Sequence, residues 1–429
     1  MTDTQVPGAQ TPGAEQPPEQ PRSVVGLVLL VAGIVALGVL GSVSAVIVVL
    51  ALLVMIFMHE LGHYLTARSA GMKVTEFFLG FGPRIGSFRK GETEYGLKAI
   101  PAGAYVRIIG MHNLDPVEPE DEARAYKNKP YWRKMSVASA GSMMHFLMAA
   151  LLLFTLFATY GQRSEDNWTV GAISRLGNTN TSPALEAGLE IGDRIVEVDG
   201  IPVTTFDATV DLIQARPGQQ VVLLVERDGE TFETATTLEE RNPEGEPVGF
   251  LGVGPTFPYE SQSILSAAKN TGVMFKTLTT ETLGALGSFF SPSGMSDYVD
   301  TLLGRPATST DTGSSSDEES QGDRPLSPVG AVRIASQAAD AGLPELLWFL
   351  VVINMFVGIF NLIPLLPLDG GHIAIGTYEK IRSRKGKRYE VDVAKLMPLT
   401  YAVVLFMGFV FVSSLWLDLS DPLRNPFGQ

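Results

Sequence analysis

Val46-Ile-Val-Val-Leu-Ala-Leu-Leu-Val-Met-Ile-Phe-Met58 runs without a polar side chain straight into His59-Glu60-Leu61-Gly62-His63. The pentad is an H-E-x-x-H. On a helix its i, i+4 spacing turns both imidazoles to one face with the glutamate beside them, which is two zinc ligands and a general base. At a helix end in water these would be ordinary polar residues. At the end of an apolar run, within or at the edge of a bilayer, ionisable groups are costly and point to function.

Working outward, no charged residue occurs from Val24 to Met58. One helix of that length would rise roughly 50 Å, against a bilayer core of about 30 Å. Gly38, Gly41, Ser42 and Ser44 offer a break, giving a first helix from Val24 to Leu37 and a second from near Ser44. One long, tilted or kinked helix is the other reading, and the two place the N-terminus on opposite sides. Either way residues 24–67 hold the N-terminal membrane helices. Further apolar runs at Met135 to Tyr160, Leu343 to Leu368 and Leu396 to Leu417 are each long enough to span. The stretch from Arg68 to Lys134 holds 12 Lys and Arg, and the loop from Lys380 to Lys395 is also basic. The positive-inside rule puts both in the cytoplasm and the region from Gly161 to Gly342 outside.

The 429 residues are 45% hydrophobic and 18% charged, which excludes a disordered or fibrous chain. The net charge of -14 has the wrong sign for wrapping phosphates, so nucleic acid is not an expected partner. There is no cysteine, so a metal must be held by histidine and carboxylate, and histidines occur only at 59, 63, 112, 145 and 372. A catalytic zinc needs a third protein ligand, and Asp369 is the outstanding candidate. It ends the run Asn361-Leu-Ile-Pro364-Leu-Leu-Pro367-Leu-Asp369-Gly370-Gly371-His372, whose two prolines break a helix and expose backbone. Alone, Asp-Gly-Gly reads as a turn. His372 is an alternative ligand, a neighbour of the ligand or a residue of the next helix start, and His112 lies in a polar loop.

An apolar H-E-x-x-H helix paired with a late N-x-x-P-x-x-P-x-D-G resembles the site-2-protease family of intramembrane zinc metalloproteases, over most of the chain. Gly80-Phe81-Gly82-Pro83, Gly91-Glu92-Thr93-Glu94-Tyr95 and Pro101-Ala102-Gly103 resemble that family's membrane-associated β-hairpin segment. Ser-Pro-Val-Gly at 327–330, the basic C-terminal loop and Asp421-Pro-Leu-Arg-Asn resemble its actinobacterial members in particular. The resemblance implies one zinc ion on His59, His63 and Asp369, Glu60 as the catalytic base, and Asn361 as a substrate-binding residue. It also implies single-span substrates already trimmed outside by a site-1-type protease, notably anti-sigma factors. Many relatives carry Gly-Pro-x-x-Asn in the second core helix, where this chain has Gly141-Ser142-Met143-Met144-His145. His145 either replaces that asparagine as a hydrogen-bond partner near the site or is a satisfied histidine between packed helices.

From Trp168 to about residue 240, short β-rich runs and Ser182-Pro-Ala-Leu-Glu-Ala-Gly188-Leu-Glu-Ile-Gly192-Asp193 resemble a bacterial PDZ domain. Such a domain binds extended peptide ends as an added strand. The other reading is a β module that only blocks access to the membrane site. Residues 1–23 read as a disordered tail and 305–325 as a flexible linker. Residues 263–298 read as one amphipathic helix near the membrane surface. The fold expected is a polytopic α-helical membrane protein with a membrane-associated β-hairpin region at 68–134, helices at 135–160 and 396–417, and an Asp-bearing span at 343–372. A basic loop at 380–395 and an inserted extracytoplasmic PDZ-like β domain at 168–240 complete it. The function expected is intramembrane zinc proteolysis in the cytoplasmic membrane of a bacterium. The alternatives are a non-catalytic scaffold presenting the PDZ module, or a membrane-anchored protease of soluble misfolded proteins.

Overall fold

In the computed structural model of the chain, the residues described are 23–111, 117–164, 166–174, 181–241, 247–305, 325–383, 389–423 and 425. The tail before Ser23, His112, most of the linker and part of the basic loop lie outside them. Ser23 caps α1 (Val24–Ala36), and a single π turn follows at Leu37–Gly41. The break then falls at Ser42, which is extended and accepts from the Ala45 N–H to start α2 (Val43–Ser69). Residues 24–58 are therefore two helices. The second carries the apolar run and the histidine pentad without interruption.

Past α2 the chain folds into a long antiparallel hairpin, β1 (Val74–Lys90) and β2 (Thr93–Ile108), turning at Gly91-Glu92. Its pairing is repeatedly shifted by bulges. The hairpin root docks on α2: Tyr64, Met72, Val74, Phe77 and Ile108 share one buried cluster, with Phe57 and Tyr95 packed against it. Residues 135–160, expected as one helix, are the end of α3 (Tyr131–Ala138) and then α4 (Ala140–Thr159), with Ser139 between them.

The inserted β module is rooted by β3 (Gln162–Arg163) and begins with β4 (Thr169–Ile173). It continues through α5 (Pro183–Glu186), β5 (Arg194–Val198), β6 (Ile201–Pro202), α6 (Phe206–Gln214), β7 (Gln220–Arg227) and β8 (Glu230–Thr237). β9 (Glu239–Arg241), β10 (Val248–Phe250), β11 (Val253–Thr256) and β12 (Tyr259–Glu260) complete it. A four-stranded sheet in the order β6-β5-β7-β8 packs with the helices around Trp168, Ile195, Leu223 and Leu238. The module does not stop at 240. β4 pairs with β11, and Leu251 is part of the same core. An open edge on β4 would have exposed its backbone groups.

Residues 263–298 are two helices rather than one, α7 (Ile264–Phe289) and α8 (Pro292–Leu302). Ser291 caps the second by accepting from the Gly294 N–H, and Pro292 takes the first helical position, where it loses no bond. Ala267 and Leu278 of α7 lie in one buried cluster with Leu153 and Phe157 of α4. That helix therefore packs along the bundle instead of lying apart from it.

α9 (Pro328–Ala341), α10 (Leu343–Phe360), α11 (Asp369–Arg382) and α12 (Met397–Ser420) finish the fold. The Asp-bearing segment is thus not one span: α10 ends at Phe360, and residues 361–368 form an irregular turn with a cis bond before Pro367. Among the described residues, four helices are long and apolar enough to cross a membrane, over Val43–Ser69, Ala140–Thr159, Leu343–Phe360 and Val393–Ser420.

Candidate metal centre

One face of α2 presents His59 and His63 a turn apart, as the i, i+4 spacing requires. Asp369 reaches them as the first residue of α11. The donor atoms form a small triangle. His59 Nε2 and His63 Nε2 are 3.2 Å apart, and Asp369 Oδ2 lies 3.5 Å from the first and 3.2 Å from the second. A tetrahedral zinc with bonds of about 2.0–2.1 Å separates its ligand atoms by roughly 3.3 Å, so the triangle has the size such an ion requires. Asp369 Oδ2 is buried and no hydrogen bond satisfies it. An unsatisfied buried carboxylate oxygen is expensive, and a cation removes the cost.

Backbone groups orient this triangle. His63 Nδ1–H donates to the Val137 carbonyl of α3 at 2.8 Å, which leaves Nε2 with its lone pair toward the other two donors. Gly141, at the start of α4, lies against both rings: a Cβ there would sit 2.3 Å from His59 Cε1 and 2.5 Å from His63 Nε2. Only glycine leaves room for the pair. At the other side, the Gly370 N–H donates to the Asn361 carbonyl at 2.7 Å, and a Cβ on Gly370 would lie 2.2 Å from the Leu362 carbonyl oxygen. The two glycines after Asp369 let the start of α11 fold tightly over the irregular turn. This is how the Asp-Gly-Gly turn signal and the ligand candidate come to be the same residues.

Among the described residues, Glu60, Asn361, His145 and His372 lie near this centre in the chain or in space, while His112 lies outside the described residues. Glu60 follows His59 on α2, and the Val106 amide of β2 faces its carboxylate. Asn361 caps the end of α10 and is joined to the start of α11 through its carbonyl. His145 is 1% exposed and lies with its ring centroid 5.1 Å from that of His59. Asn354 of α10 donates through Nδ2 to the Leu350 carbonyl, so its Oδ1 accepts from His145 Nδ1–H at 2.9 Å. Both sequence readings of His145 thus describe one residue, bonded between packed helices and next to the site. His372 is three residues past Asp369, its ring centroid 6.4 Å from that of Tyr126, and it lies outside the donor triangle. The Val137 carbonyl gave no sequence signal, because any residue type supplies a carbonyl. Gly141 was visible only as part of a departure from the family pattern.

The comparisons with known proteins point to a zinc protease. The sequence profile of peptidase family M50 matches residues 47–407. The chain is 32% identical over 403 residues to zinc metalloprotease Rip1 of Mycobacterium tuberculosis, covering 86% of this chain and 96% of that protein. It is likewise 32% identical over 405 residues to zinc metalloprotease Rip1 of Mycolicibacterium smegmatis, covering 86% and 95%. Among solved structures, the PDZ domain of the SdrC-like protein from Listeria monocytogenes matches 22% of this chain and 93% of its own at 20% identity. Its TM-score of 0.18 is too low to argue from. With the family profile matched across most of the chain, and with two histidines and a carboxylate gathered at the spacing of a zinc site, the chain belongs to peptidase family M50, the site-2-protease family, and is a zinc metalloendopeptidase.

Proposed function

We propose that the protein hydrolyses peptide bonds in or near the transmembrane segment of single-span proteins. His59, His63 and Asp369 hold one zinc ion, Glu60 is the catalytic base and Asn361 binds substrate. One observation carries this reading: the donor triangle is built from two apolar elements. His59 and His63 lie on a helix long enough to cross a membrane, and Asp369 follows the end of a second such helix by nine residues. A protease of soluble proteins would hold its metal in a water-exposed domain instead.

Zinc, when bound, supplies a Lewis acid that polarises a water and the scissile carbonyl. Glu60 takes the proton of the attacking water and passes it to the leaving amine. A helical substrate has its carbonyls bonded internally, so it must unwind first. The hairpin offers strand backbone for an extended segment between Phe78 and Val106, and the Asn361 amide holds the unwound backbone beside Asp369. Val137 and Gly141 keep the imidazoles in place while this occurs.

The basic stretches at 68–134 and 380–395 face the cytoplasm in this reading, and the PDZ-like module lies outside, in the cytoplasmic membrane of a bacterium. The module then filters substrates by size. Those that reach the centre have lost their external domain to a site-1-type protease, and anti-sigma factors are the class proposed. The names of the relatives support a zinc protease.

A gel assay of the purified chain in detergent with a tagged single-span substrate, trimmed and untrimmed, tests this. Wild type should cut inside the apolar segment of the trimmed form, and chelated protein, Glu60→Gln and Asp369→Ala should not. Undiminished cleavage by Glu60→Gln would place the chemistry elsewhere. A wild type that holds zinc yet cuts neither form would favour a scaffold.

A further inference from the structure

α11 is held in an unusual way. It follows eight irregular residues, so the direction of α10 does not set its position. Its buried residues are Gly370, Gly371 and Gly376, none of which has a side chain to anchor it in an apolar core. Yet its first residue must hold a carboxylate oxygen 3.5 and 3.2 Å from the nitrogens of two imidazoles on another helix.

We propose that Lys134 of α3 and Glu379 of α11 are the positioning pair that does this. The proposal rests on the ligand assignment made above. Lys134 Nζ donates to Glu379 Oε2 at 2.6 Å, with side chains only 11% and 14% exposed. The other oxygen, Oε1, accepts from the Val391 N–H at 3.1 Å, so the carboxylate is bonded on both sides. Around the pair, Tyr131 and Thr377 hydroxyls meet at 3.3 Å across the same two helices, and the Tyr126 hydroxyl donates to the Lys134 carbonyl. Removing one partner of a partly dehydrated ion pair of this kind leaves the other charge uncompensated, which is costly.

What makes the pair more than a structural tie is the other end of α3. Val137, three residues after Lys134, supplies the carbonyl that orients His63. The same eight-residue helix therefore fixes the imidazole of one ligand through its backbone and the helix of another ligand through its lysine. α4 begins two residues after α3 ends and brings Gly141 against both histidines. α3 is the common reference for all three donors, and Lys134–Glu379 is the contact that ties Asp369 to it. Neither residue touches the reacting atoms, so both act through Asp369.

The test uses the full chain in detergent. Zinc affinity is measured by competition with a chelator, cleavage of a trimmed single-span substrate as separate kcat and KM, and thermal unfolding on the metal-free protein. Lys134→Met and Glu379→Gln should each weaken zinc binding fivefold or more and lower kcat, with KM within twofold of wild type. The exchange Lys134→Glu with Glu379→Lys should recover at least half of the lost affinity on a logarithmic scale. Should a single variant fail to fold, Lys134→Arg and Glu379→Asp, which keep both charges, must bind zinc less than fivefold more weakly than wild type. Loss of less than fivefold in the charge-removing variants, or an exchange no better than the worse single change, overturns the proposal. So does a lower melting temperature with unchanged zinc affinity, since that is a structural role alone. Asp369→Ala run in parallel separates the two readings. If it keeps full zinc affinity the ligand assignment fails, and if it loses zinc while the pair variants do not, only the pair fails.

Discussion

The helical bundle and the β module each hold an aspartate with a buried carboxylate oxygen, Asp369 and Asp193, and the two are partnered in opposite ways. In the module, Asp193 is 1% exposed and every need of its carboxylate is met. Arg227 Nε and Nη2 donate to its two oxygens at 2.7 and 2.8 Å, and the Glu190 N–H donates at 2.8 Å. The same Arg227 binds the Gly188 carbonyl and lies over the ring of Phe232, closing the turn that leads into β5. In the bundle, Asp369 points a buried oxygen at two imidazoles and no hydrogen bond closes it. A satisfied buried carboxylate holds a fold together, while an unsatisfied one beside two histidines waits for a metal.

If that contrast is right, changes at the two places should fail in different ways. The largest effect belongs to Glu60→Gln, which keeps the donor triangle but removes the proposed base. We expect kcat to fall by about 100- to 10,000-fold with zinc content unchanged, measured by single-turnover cleavage and metal analysis. Gly141→Ala should come next. Its methyl group would press on both histidine rings, and zinc affinity should fall by about 10- to 100-fold in a chelator competition while the β module unfolds normally.

Arg227→Met should do the reverse. It strands Asp193 and should destabilise the module, read by faster hydrogen exchange of β5 and β7, with zinc affinity within twofold of wild type. Equal loss of metal in this variant would break the contrast. The smallest effect is one of pH. Burial pushes the Asp193 carboxyl up, but Arg227 and the Glu190 N–H outweigh it and hold it below the usual range. A depressed carboxylate contributes stability that is complete above its unfolded value, about 3.9, and is lost as pH falls through the folded value. The module of the wild type should therefore weaken below about pH 4, and Arg227→Met should flatten that dependence.

Much of this was legible in the sequence, for reasons that differ by region. The histidine pair reads directly because two ligands on one helix have a fixed spacing, and Asp369 reads because a carboxylate in an apolar run needs a reason to be there. Ser42 and the neighbouring small residues marked the break between the first two helices because a helix start needs a capping side chain. The apolar spacing over 263–298 reads as one helix, and the break falls where Ser291 caps a second one that opens on Pro292. What could not be read were contacts made by backbone atoms, such as the Val137 carbonyl, and the pairing of residues 245 apart in Lys134 and Glu379. Lys134 in the sequence is one more positive charge in a basic stretch. The end of the β module was misplaced because strand β11 pairs with β4 across some eighty residues, which no local pattern reports.

The strands β3 and β12 pair as Arg163 with Tyr259 and Gln162 with Glu260, so the chain leaves the bundle and returns to it at one point. Two neighbouring strands sit only about 5 Å apart. The helices before and after this stalk thus see the same short closure whatever is mounted on it. Evolution, or an engineer, can exchange the cassette beyond Arg163 and Tyr259 for another folded unit without asking α4 or α7 to move.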